Sequence, residues 1–359
     1  MTNGSGGGIG GTAESPPDTI AAMGWKRRAL DAAHHLGAFR AVASVFGSRR
    51  LTVLTYHRIV EMGDAGSIGF VGNVSATPAE FYDQMRWVAD RFAVVALDDV
   101  AAAAAGGHLP RRPLLITFDD GYRDNLDVAG PILDGLGLPA TLFVATDLVG
   151  NRIPPWWDLA AWCFAASGVR EADLPLVGPR RWTDPHREAV SWIKTAKGLP
   201  DAALREGVDS LPRVLDVSVD DAPFRHLMLD WEDVATMAAK GWAIGAHTRS
   251  HPILTKLAPD RIAGEVEGSR ALVAEAAGAK PRAFAYPNGQ QTDFDAVVKS
   301  AVAAAGFEVA FTLVPGPSRR SEYTSDPLAI RRVYVHHGDG VSRFAAKAGG
   351  VARFVGAVR

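Results

Sequence analysis

Short apolar runs and longer amphipathic segments alternate along most of this chain. Apolar runs of about four to eight residues are typical of buried strands, and an apolar position every three or four residues is typical of a helix with one buried face. Thr77-Pro78-Ala79-Glu80 has the pattern of a capping box with proline at the first helical position, and Phe81, Met85 and Val88 then form an apolar face. The predicted strands are one that begins at Leu51 and ends in Tyr56-His57, and others at Val94–Val95, Leu114–Phe118, Ala140–Thr146, Trp242–Ala246, Ala283–Tyr286, Val309–Leu313 and Ile330–Val335. The further predicted helices are at Asp98 through Ala105, about Leu126–Leu136, about Pro259–Ala277 and Ala296–Ala305. This alternating order predicts an α/β fold, in which outer helices cover a parallel sheet.

The alternation stops between Asn151 and Pro223. Five tryptophans occur there among scattered charges: Trp156, Trp157, Trp162, Trp182 and Trp192. This composition predicts a mostly helical insertion at about residues 151–225 with a small aromatic cluster of its own.

Length and charge narrow the possible function classes. A chain of 359 residues can bury a large core, and a single α/β barrel commonly takes about 250 residues. The net charge of −2 gives no broad attraction to nucleic acid or to anionic membranes. The single cysteine, Cys163, cannot form an internal disulfide and is expected to be an inert buried thiol beside Trp162 and Phe164. The fold therefore does not depend on an oxidising compartment.

The amino-terminal segment has two parts. Residues 1–23 are expected to form a flexible tail, because the first residues are rich in Gly, Ser and Thr and contain no apolar export signal. Residues 24–50 are alanine-rich with spaced apolar positions, which predicts a helix packed on the main domain. A weak membrane contact through its basic end is the alternative. No apolar run reaches the roughly 18–20 residues of a membrane span. We therefore expect a cytoplasmic protein, and a location close to the membrane is the alternative within that expectation.

Two adjacent carboxylates, Asp119 and Asp120, follow the predicted buried strand at Leu114–Phe118. The carboxyl ends of strands are where α/β folds build their sites. Neighbouring residues on an extended backbone point in different directions, so one carboxylate can bind a metal while the other moves protons. An Asp-Asp-Gly sequence after a strand is also a common turn, which is the structural alternative.

Two histidines, His247 and His251, follow the predicted strand at Trp242–Ala246. On a helical turn, residues four apart project to one side, so both imidazoles could bind one ion. A simple loop at His251-Pro252 is the alternative. The two pairs of residues together predict a metal-assisted hydrolase, since two nitrogens and an oxygen suit Zn²⁺, with Co²⁺ or Ni²⁺ also compatible.

With these motifs the chain resembles the polysaccharide deacetylase family, also called carbohydrate esterase family four. The family's Thr-Phe-Asp-Asp-Gly motif is matched at Thr117–Gly121, and its His-(Ser/Thr)-x-x-His motif is matched at His247–His251. A weaker third motif, Phe-x-x-Pro-x-Gly, is matched at Phe284–Gly289. The resemblance covers about Leu51 to Val335. It implies a seven-stranded (β/α) barrel, distorted or incomplete, at residues 51–340, with the insertion inside it and a tail or helix at 341–359.

The resemblance also implies roles for individual residues. Asp120, His247 and His251 would bind one divalent ion, and Asp119 would act as general base. Tyr56-His57 resembles a branch of the family in which such a pair supplies the acid for the leaving amine. His336 and His337 are the competing candidates. A backbone N–H near Gly121 or Tyr122 could help to stabilise the oxyanion.

The third motif departs from the family's common pattern. Many members have an arginine there that orients the catalytic aspartate, and this chain has Ala285 instead. Arg282, Arg331 and Arg332 are the possible substitutes, and the sequence does not choose among them.

The expected substrate is an N-acetylated sugar polymer or oligosaccharide, and acetate would be released. Tryptophan faces suit sugar rings, so Trp156 and Trp157 are candidate substrate contacts. The other candidate contacts are Tyr122, Trp231, Tyr286, Pro287 and Asn288. Two alternatives remain: hydrolysis of a small non-carbohydrate amide by the same site, and a catalytically silent barrel that binds a glycan.

Overall fold

The structure, a computed structural model, describes residues 50–63, 69–151, 154–219, 224 and 226–350. The predicted tail at 1–23 lies outside the described residues, as do all but the last residue of the predicted helix at 24–50 and the segment 351–359. Within the described ranges, no helix is both long and apolar enough to cross a membrane.

The strands are β1 Arg50–Tyr56, β2 Arg58–Ile59, β3 Val74–Ala76, β4 Ala93–Val94, β5 Pro113–Asp120, β6 Thr141–Val144, β7 Glu171–Leu174, β8 Gly178–Arg181, β9 Ala243–Ala246, β10 Ala283–Ala285, β11 Val309–Pro315, β12 Ser318–Arg319 and β13 Ile330–Tyr334. The α-helices are α1 Pro78–Ala89, α2 Leu97–Ala104, α3 Gly130–Leu136, α4 Trp156–Ala166, α5 Pro185–Lys197, α6 Asp201–Val214, α7 Trp231–Ala239, α8 Pro259–Ala277, α9 Ala296–Ala304, α10 Arg320–Ser325 and α11 Val341–Ala348. A π-helical turn at Asn125–Ala129 leads into α3, and short 3₁₀ turns lie at Val71–Asn73, Val149–Asn151, Leu254–Lys256 and Pro327–Ala329.

Seven parallel strands close into a barrel. Their order is β1, β13, β11, β10, β9, β6 and β5, and β5 pairs with β1 to complete the ring. Leu54 of β1 lies opposite Val333 of β13 on one side and Ile116 of β5 on the other. The predicted seven-stranded (β/α) barrel is confirmed, and the ring is closed rather than incomplete.

Local sequence signals set several helix ends. The Thr77 hydroxyl accepts from the Glu80 amide, and the Glu80 carboxylate accepts from the Thr77 amide, so the predicted capping box forms at α1. Gly137 and Gly278 follow α3 and α8 with φ of +64° and +67°, a left-handed conformation that glycine adopts without steric cost. These ends fix where the chain leaves each helix for the next strand.

The barrel strands place alternate side chains in two different cores. On β5, Ile116 and Phe118 face the helices, whereas Leu115 belongs to the apolar cluster inside the barrel. Thr117 and Asp119 continue the inward row of Leu115, because side chains on a strand alternate with a period of two. A buried polar layer therefore lies above the apolar interior, at the carboxyl ends of the strands.

The predicted insertion contains three helices, α4 to α6, and the antiparallel hairpin of β7 and β8. It has a core separate from that of the barrel. Its buried aromatic members include Trp157, Phe164, Trp182 and Trp192. Cys163 is buried there as well, and burial raises the pKa of its thiol to about 12, so it stays protonated at neutral pH. The insertion is thus a packed unit beside the barrel mouth.

Candidate active site

A cavity of about 700 Å³, here called the main cavity, opens at the carboxyl ends of the barrel strands. It is lined by His57 after β1, Asp119 and Asp120 at the end of β5, and His247 and His251 after β9. Because the strands are parallel, their carboxyl ends share one rim. The fold therefore brings the separate sequence motifs into one cavity.

Asp120, His247 and His251 converge on one point of the main cavity. The Nε2 atoms of His247 and His251 lie 3.5 Å and 3.3 Å from Asp120 Oδ1, and the three potential ligand atoms lie within 4.8 Å of one another. Asp120 Oδ1 is buried yet forms no hydrogen bond with any described residue. A buried carboxylate oxygen without a donor is costly, so this cluster fits a divalent cation bound by one oxygen and two nitrogens.

The backbone around these residues adopts conformations that side-chain-bearing residues rarely occupy. φ is +76° at Asp120, +66° at Thr248 and +58° at His251. Such residues cost about 1–3 kcal/mol each and cluster at functional sites. Our expectation that the two histidines share a helical turn is wrong, because residues 247–251 form a loop. Two left-handed residues in that loop reverse the chain and aim both imidazoles at Asp120.

Neighbouring groups hold the two imidazoles in place. His247 Nδ1 lies 2.7 Å from the carbonyl oxygen of Ala285, so that nitrogen donates and Nε2 is left as the free acceptor. The His251 ring packs edge-on against Trp157, with centroids 4.6 Å apart. The amide of Ser250 donates to Glu265 of α8 at 2.9 Å, which ties the loop to a barrel helix.

Burial shapes the charges of the candidate ligands. Burial, followed by the charge of Asp119, raises the pKa of Asp120 well above its ordinary value. Burial also lowers the pKa of His247 and, together with the charge of His247, lowers that of His251 further. Neutral imidazoles are the form that binds a metal, and a cation would stabilise the Asp120 carboxylate against burial.

Asp119 forms a buried ion pair with Arg332 of β13. Arg332 donates from Nη1 and Nη2 to the two carboxylate oxygens at 2.7 Å and 2.8 Å, and from Nε to the Thr312 carbonyl oxygen at 3.0 Å. Burial would raise the pKa of Asp119, but the charge of Arg332, followed by those of His247 and His57, brings it below its ordinary value. Asp119 is therefore an oriented carboxylate at neutral pH.

The other two arginine candidates lie elsewhere. Arg282 pairs with Glu308 and with Asp98 on the exposed side of the protein and does not contact Asp119. The prediction that it orients Asp119 is therefore wrong. The reason is its position just before β10, at the opposite end of the strand from the cavity. Arg331 lines the main cavity but lies 3.9 Å from Glu322.

His57 lines the main cavity together with Asp119, and hydrogen bonds hold both its backbone amide and its carbonyl group. Its amide donates to Ser75 Oγ at 2.9 Å, and its carbonyl oxygen accepts from Asn125 Nδ2 at 2.7 Å. Tyr56 points the opposite way, into the barrel–helix core, where its ring stacks on Phe118. The buried Nδ1 of His57 has no hydrogen-bond partner in the described part of the chain.

Burial decides the charge of His57. It lowers the pKa of this imidazole to about 4, although the charge of Asp119 acts in the opposite direction. Burial therefore opposes protonation of His57 in the main cavity. The physical reason is that desolvation of the imidazolium outweighs its attraction to Asp119, and Arg332 and His247 add repulsion.

The competing histidines follow β13 in a loop. His336 also lines the main cavity, and its Nδ1 lies 2.6 Å from the carbonyl oxygen of His337. Burial lowers the pKa of His337, with the charge of His336 adding to the effect. His57 and His336 thus both line the main cavity, His57 after β1 and His336 after the neighbouring strand β13.

The predicted substrate contacts fall into two groups. Trp157 and Asn288 line the main cavity, and Trp156 lines an adjoining cavity of about 250 Å³, here called the side cavity. The side chain of Tyr122 is buried in the insertion core, where its hydroxyl donates to Asp158 at 2.7 Å and accepts from Trp157 Nε1 at 2.7 Å. The prediction that the Tyr122 side chain contacts the substrate is therefore wrong.

The predicted substrate contacts by Tyr286, Pro287 and Trp231 are also wrong, because these side chains pack in the core. Tyr286 follows β10 with the same outward orientation as Phe284, so its ring stacks on Phe294 in the core and its hydroxyl donates to the Leu328 carbonyl oxygen. Pro287 is buried next to it. Trp231 begins α7 and packs against the barrel–helix core. The third motif reaches the cavity through Asn288, whose φ is +57°.

Sequence reasoning missed Lys197 and Tyr334, which both line the main cavity. Tyr334 ends β13 as Asp120 ends β5, so its position at a strand's carboxyl end was the available signal. Lys197 ends a helix of the insertion and carries no local signal, because only the docking of the insertion brings it to the barrel mouth.

A family model described as polysaccharide deacetylase matches residues 106–310. The putative polysaccharide deacetylase YxkH of Bacillus subtilis is 30% identical over 106 residues, which are 29% of this chain and 34% of that protein. The aligned part therefore spans about a third of the relative's length.

Solved structures share the fold. The deacetylase PplD of Streptococcus pyogenes, determined in complex with acetate, matches with a TM-score of 0.55 and 16% identity, covering 84% of this chain and 99% of that one. IcaB from Ammonifex degensii matches with a TM-score of 0.54 and 21% identity, covering 84% of this chain and 97% of that one. At these identities the likeness is one of fold.

Proposed function

This chain belongs to the polysaccharide deacetylase family, and we propose that it is a metal-dependent hydrolase that removes N-acetyl groups from an N-acetylated sugar polymer or oligosaccharide. The observation that carries the proposal is the unsatisfied Asp120 Oδ1 beside two imidazole Nε2 atoms, in the same cavity as the arginine-bound Asp119.

Asp120, His247 and His251 would hold one divalent ion, with Zn²⁺ favoured by two nitrogen ligands and one oxygen ligand, and Co²⁺ or Ni²⁺ also suitable. When bound, such an ion polarises a carbonyl group and lowers the pKa of a water molecule. The convergence of the three side chains around a buried oxygen without a donor supports this assignment.

Asp119 would take a proton from the attacking water. Its two hydrogen bonds from Arg332 leave it ionised at neutral pH, and both groups are rigidly buried. A general base works best when it is held in one orientation, so Arg332 is a positioning residue that acts through Asp119.

His57 would give a proton to the departing amine. Burial lowers the pKa of His57, and the charge of Asp119 acts in the opposite direction, so protonation of this imidazole depends on that carboxylate. Transfer of the proton from His57 to the amine would leave acetate and a free amino sugar as the products.

Trp157 and Asn288 would contact the acetylated sugar, and Trp156 a neighbouring one. Trp157 is held by its hydrogen bond to Tyr122 and by its contact with His251, so it forms a fixed wall of the main cavity. Trp156 is half-buried in the side cavity, where a sugar ring could stack on it.

Acetate release from an N-acetylglucosamine oligomer tests the proposal. The wild type should release acetate, Asp119→Asn should not, and Asp134→Asn, an exposed substitution on α3, should match the wild type. Binding without release by the wild type would indicate a silent glycan-binding barrel. Release only from small non-carbohydrate amides would assign the site to a different substrate class.

A further inference from the structure

Lys197 lies where the two cavities meet. It is the last residue of α5 in the insertion, and its side chain lines both the main cavity and the side cavity. The two cavities also share His251 and Asn288. Lys197 is therefore a cation of the insertion that reaches both cavities, next to a candidate metal ligand.

The end of α5 is anchored from both sides. Trp192, Ile193 and Ala196 are buried in the insertion core, which fixes the helix axis. On the barrel side, the ammonium group of Lys256 donates a hydrogen bond to the backbone carbonyl oxygen of Lys197. The backbone at Lys197 is thus held by packing of the helix and by a hydrogen bond between the insertion and the barrel.

Lys197 differs from the other cations of the main cavity in having no carboxylate partner. No Asp or Glu oxygen among the described residues lies within 4.0 Å of its ammonium group. The other cations pair as Arg331 with Glu322, Arg332 with Asp119, and Arg343 and Lys347 with Asp339. Those pairs already compensate their charges, whereas the charge of Lys197 is available to a ligand.

The charges around the main cavity nearly balance once the ion pairs are counted. Its lining contains five cationic side chains, Lys197, Arg331, Arg332, Arg343 and Lys347, against four carboxylates in the lining or paired with it, Asp119, Asp120, Glu322 and Asp339, which gives +1. Lys197 is the member of this set that forms no ion pair with a described residue, so its charge is the one that an anionic ligand group could neutralise.

Lys197 is half-buried at the junction of the two cavities. An anionic ligand group beside it would form a charge-assisted hydrogen bond with its ammonium group, and that bond would offset the hydration that the ammonium group loses.

We propose that Lys197 determines substrate specificity by binding an anionic group, a carboxylate or a phosphate, on the glycan next to the acetylated sugar. This inference rests on the proposed deacetylase function and narrows its substrate class to acidic glycans. The side cavity, beyond Lys197, would hold the sugar that carries the charge, with Trp156 at its wall.

The test compares matched N-acetylglucosamine oligosaccharides that are neutral, carboxylate-bearing or phosphate-bearing. The wild type should show a kcat/KM at least about tenfold higher for an anionic oligosaccharide than for the neutral one. Lys197→Met, which keeps much of the side-chain volume, should lower kcat/KM about 10- to 100-fold for that substrate, the range expected for one hydrogen bond to a charged group, with less than about a threefold change for the neutral one. Lys194→Met, exposed on the same helix, should leave all values unchanged.

A loss confined to the carboxylate or the phosphate substrate supports the inference and identifies the group. Equal preference in the wild type and Lys197→Met, or a wild-type preference for the neutral substrate, overturns it while leaving the deacetylase function intact. If none of the substrates releases acetate, the proposed function fails. Calorimetric affinities of the wild type and Lys197→Met for the same oligosaccharides then decide: weaker anionic binding by the variant supports the inference, and equal binding overturns it.

Discussion

The barrel and the insertion contribute to the same cavity in different ways. The barrel supplies buried polar groups whose orientations are determined by other polar groups, as Arg332 determines that of Asp119 and the Ala285 carbonyl that of His247. The insertion supplies side chains, Trp157 and Lys197, from an apolar core of its own. Under the proposed function, the barrel therefore carries the chemistry, and the insertion shapes the cavity in which the substrate would bind.

Experiments can test this division of roles between the barrel and the insertion. If it is correct, substitutions in the barrel layer reduce turnover or shift its pH dependence, and substitutions in the insertion change substrate affinity with little effect on turnover. An insertion residue that abolished turnover without altering affinity would contradict the division.

Asp119→Asn should have the largest effect among the non-ligand substitutions. It removes the base but keeps an oxygen for Arg332, so kcat should fall about 10²- to 10⁴-fold while metal content stays unchanged. Metal analysis and acetate release on the same preparation check this. Loss of metal equal to that in Asp120→Asn would mean that the two aspartates do not have separate roles.

His57→Ala should lower kcat by about 10²-fold and leave metal content unchanged. Substrates with better leaving groups should lose less, since they need less protonation. An ordinary histidine ionises at about pH 6.5. Because the pKa of His57 lies near 4, the pH profiles of kcat/KM for the wild type and for His57→Ala should not differ by an ionisation in that range. Finding such an ionisation would show that His57 must be protonated in the free enzyme. A nearly active His57→Ala with an inactive His336→Ala would move the acid to the loop after β13.

Arg332→Gln should produce a smaller loss at neutral pH, roughly tenfold, together with a change in pH dependence. Without the guanidinium group, burial raises the pKa of Asp119. The base is then protonated at higher pH, so the acidic limb of kcat/KM should move upward by about 1–3 pH units. An unmoved limb with reduced activity would mean that Arg332 serves only the stability of the barrel, and Arg331→Gln is the matched control.

Trp156→Ala should have the smallest effect. Loss of a stacking surface in the side cavity should raise KM a few-fold, which corresponds to about 1 kcal/mol of binding, with kcat unchanged. Kinetics on long and short oligosaccharides check this, because only a substrate that reaches the side cavity should lose affinity. A fall in kcat with constant KM would place Trp156 in the chemistry instead.

The sequence predicted the barrel well because its elements carry local signals. Helix α8 begins and ends at Pro259 and Ala277, where a proline and a following glycine mark the ends. The carboxyl ends of the strands also predicted which motifs would meet, since parallel strands deliver their last residues to one rim.

Three parts of the site depended on tertiary structure and could not be predicted. The left-handed φ of Thr248 and His251 replaces the expected helical turn, and no residue type there announces it. The choice of Arg332 over Arg282 follows from which end of a strand each arginine occupies. The burial of His57 overrides the neighbouring carboxylate, and burial of a strand-end residue depends on the loops that cover it.

The substrate-contact predictions were weakest for residues in the third motif. Tyr286 continues the outward row of β10 and therefore packs in the core, whereas Asn288 turns into the cavity with a positive φ. A linear motif does not reveal this alternation until the strand's orientation in the barrel is known.

The central claim is that Asp120, His247 and His251 hold the ion on which hydrolysis depends. The most direct test measures metal per chain and acetate release on one preparation of the wild type, His247→Ala and His186→Ala, the last being an exposed histidine on the insertion. The account predicts about one transition-metal ion per chain and full activity in the wild type and His186→Ala, and loss of both in His247→Ala. Full activity in metal-free wild-type protein, or in His247→Ala, would contradict it.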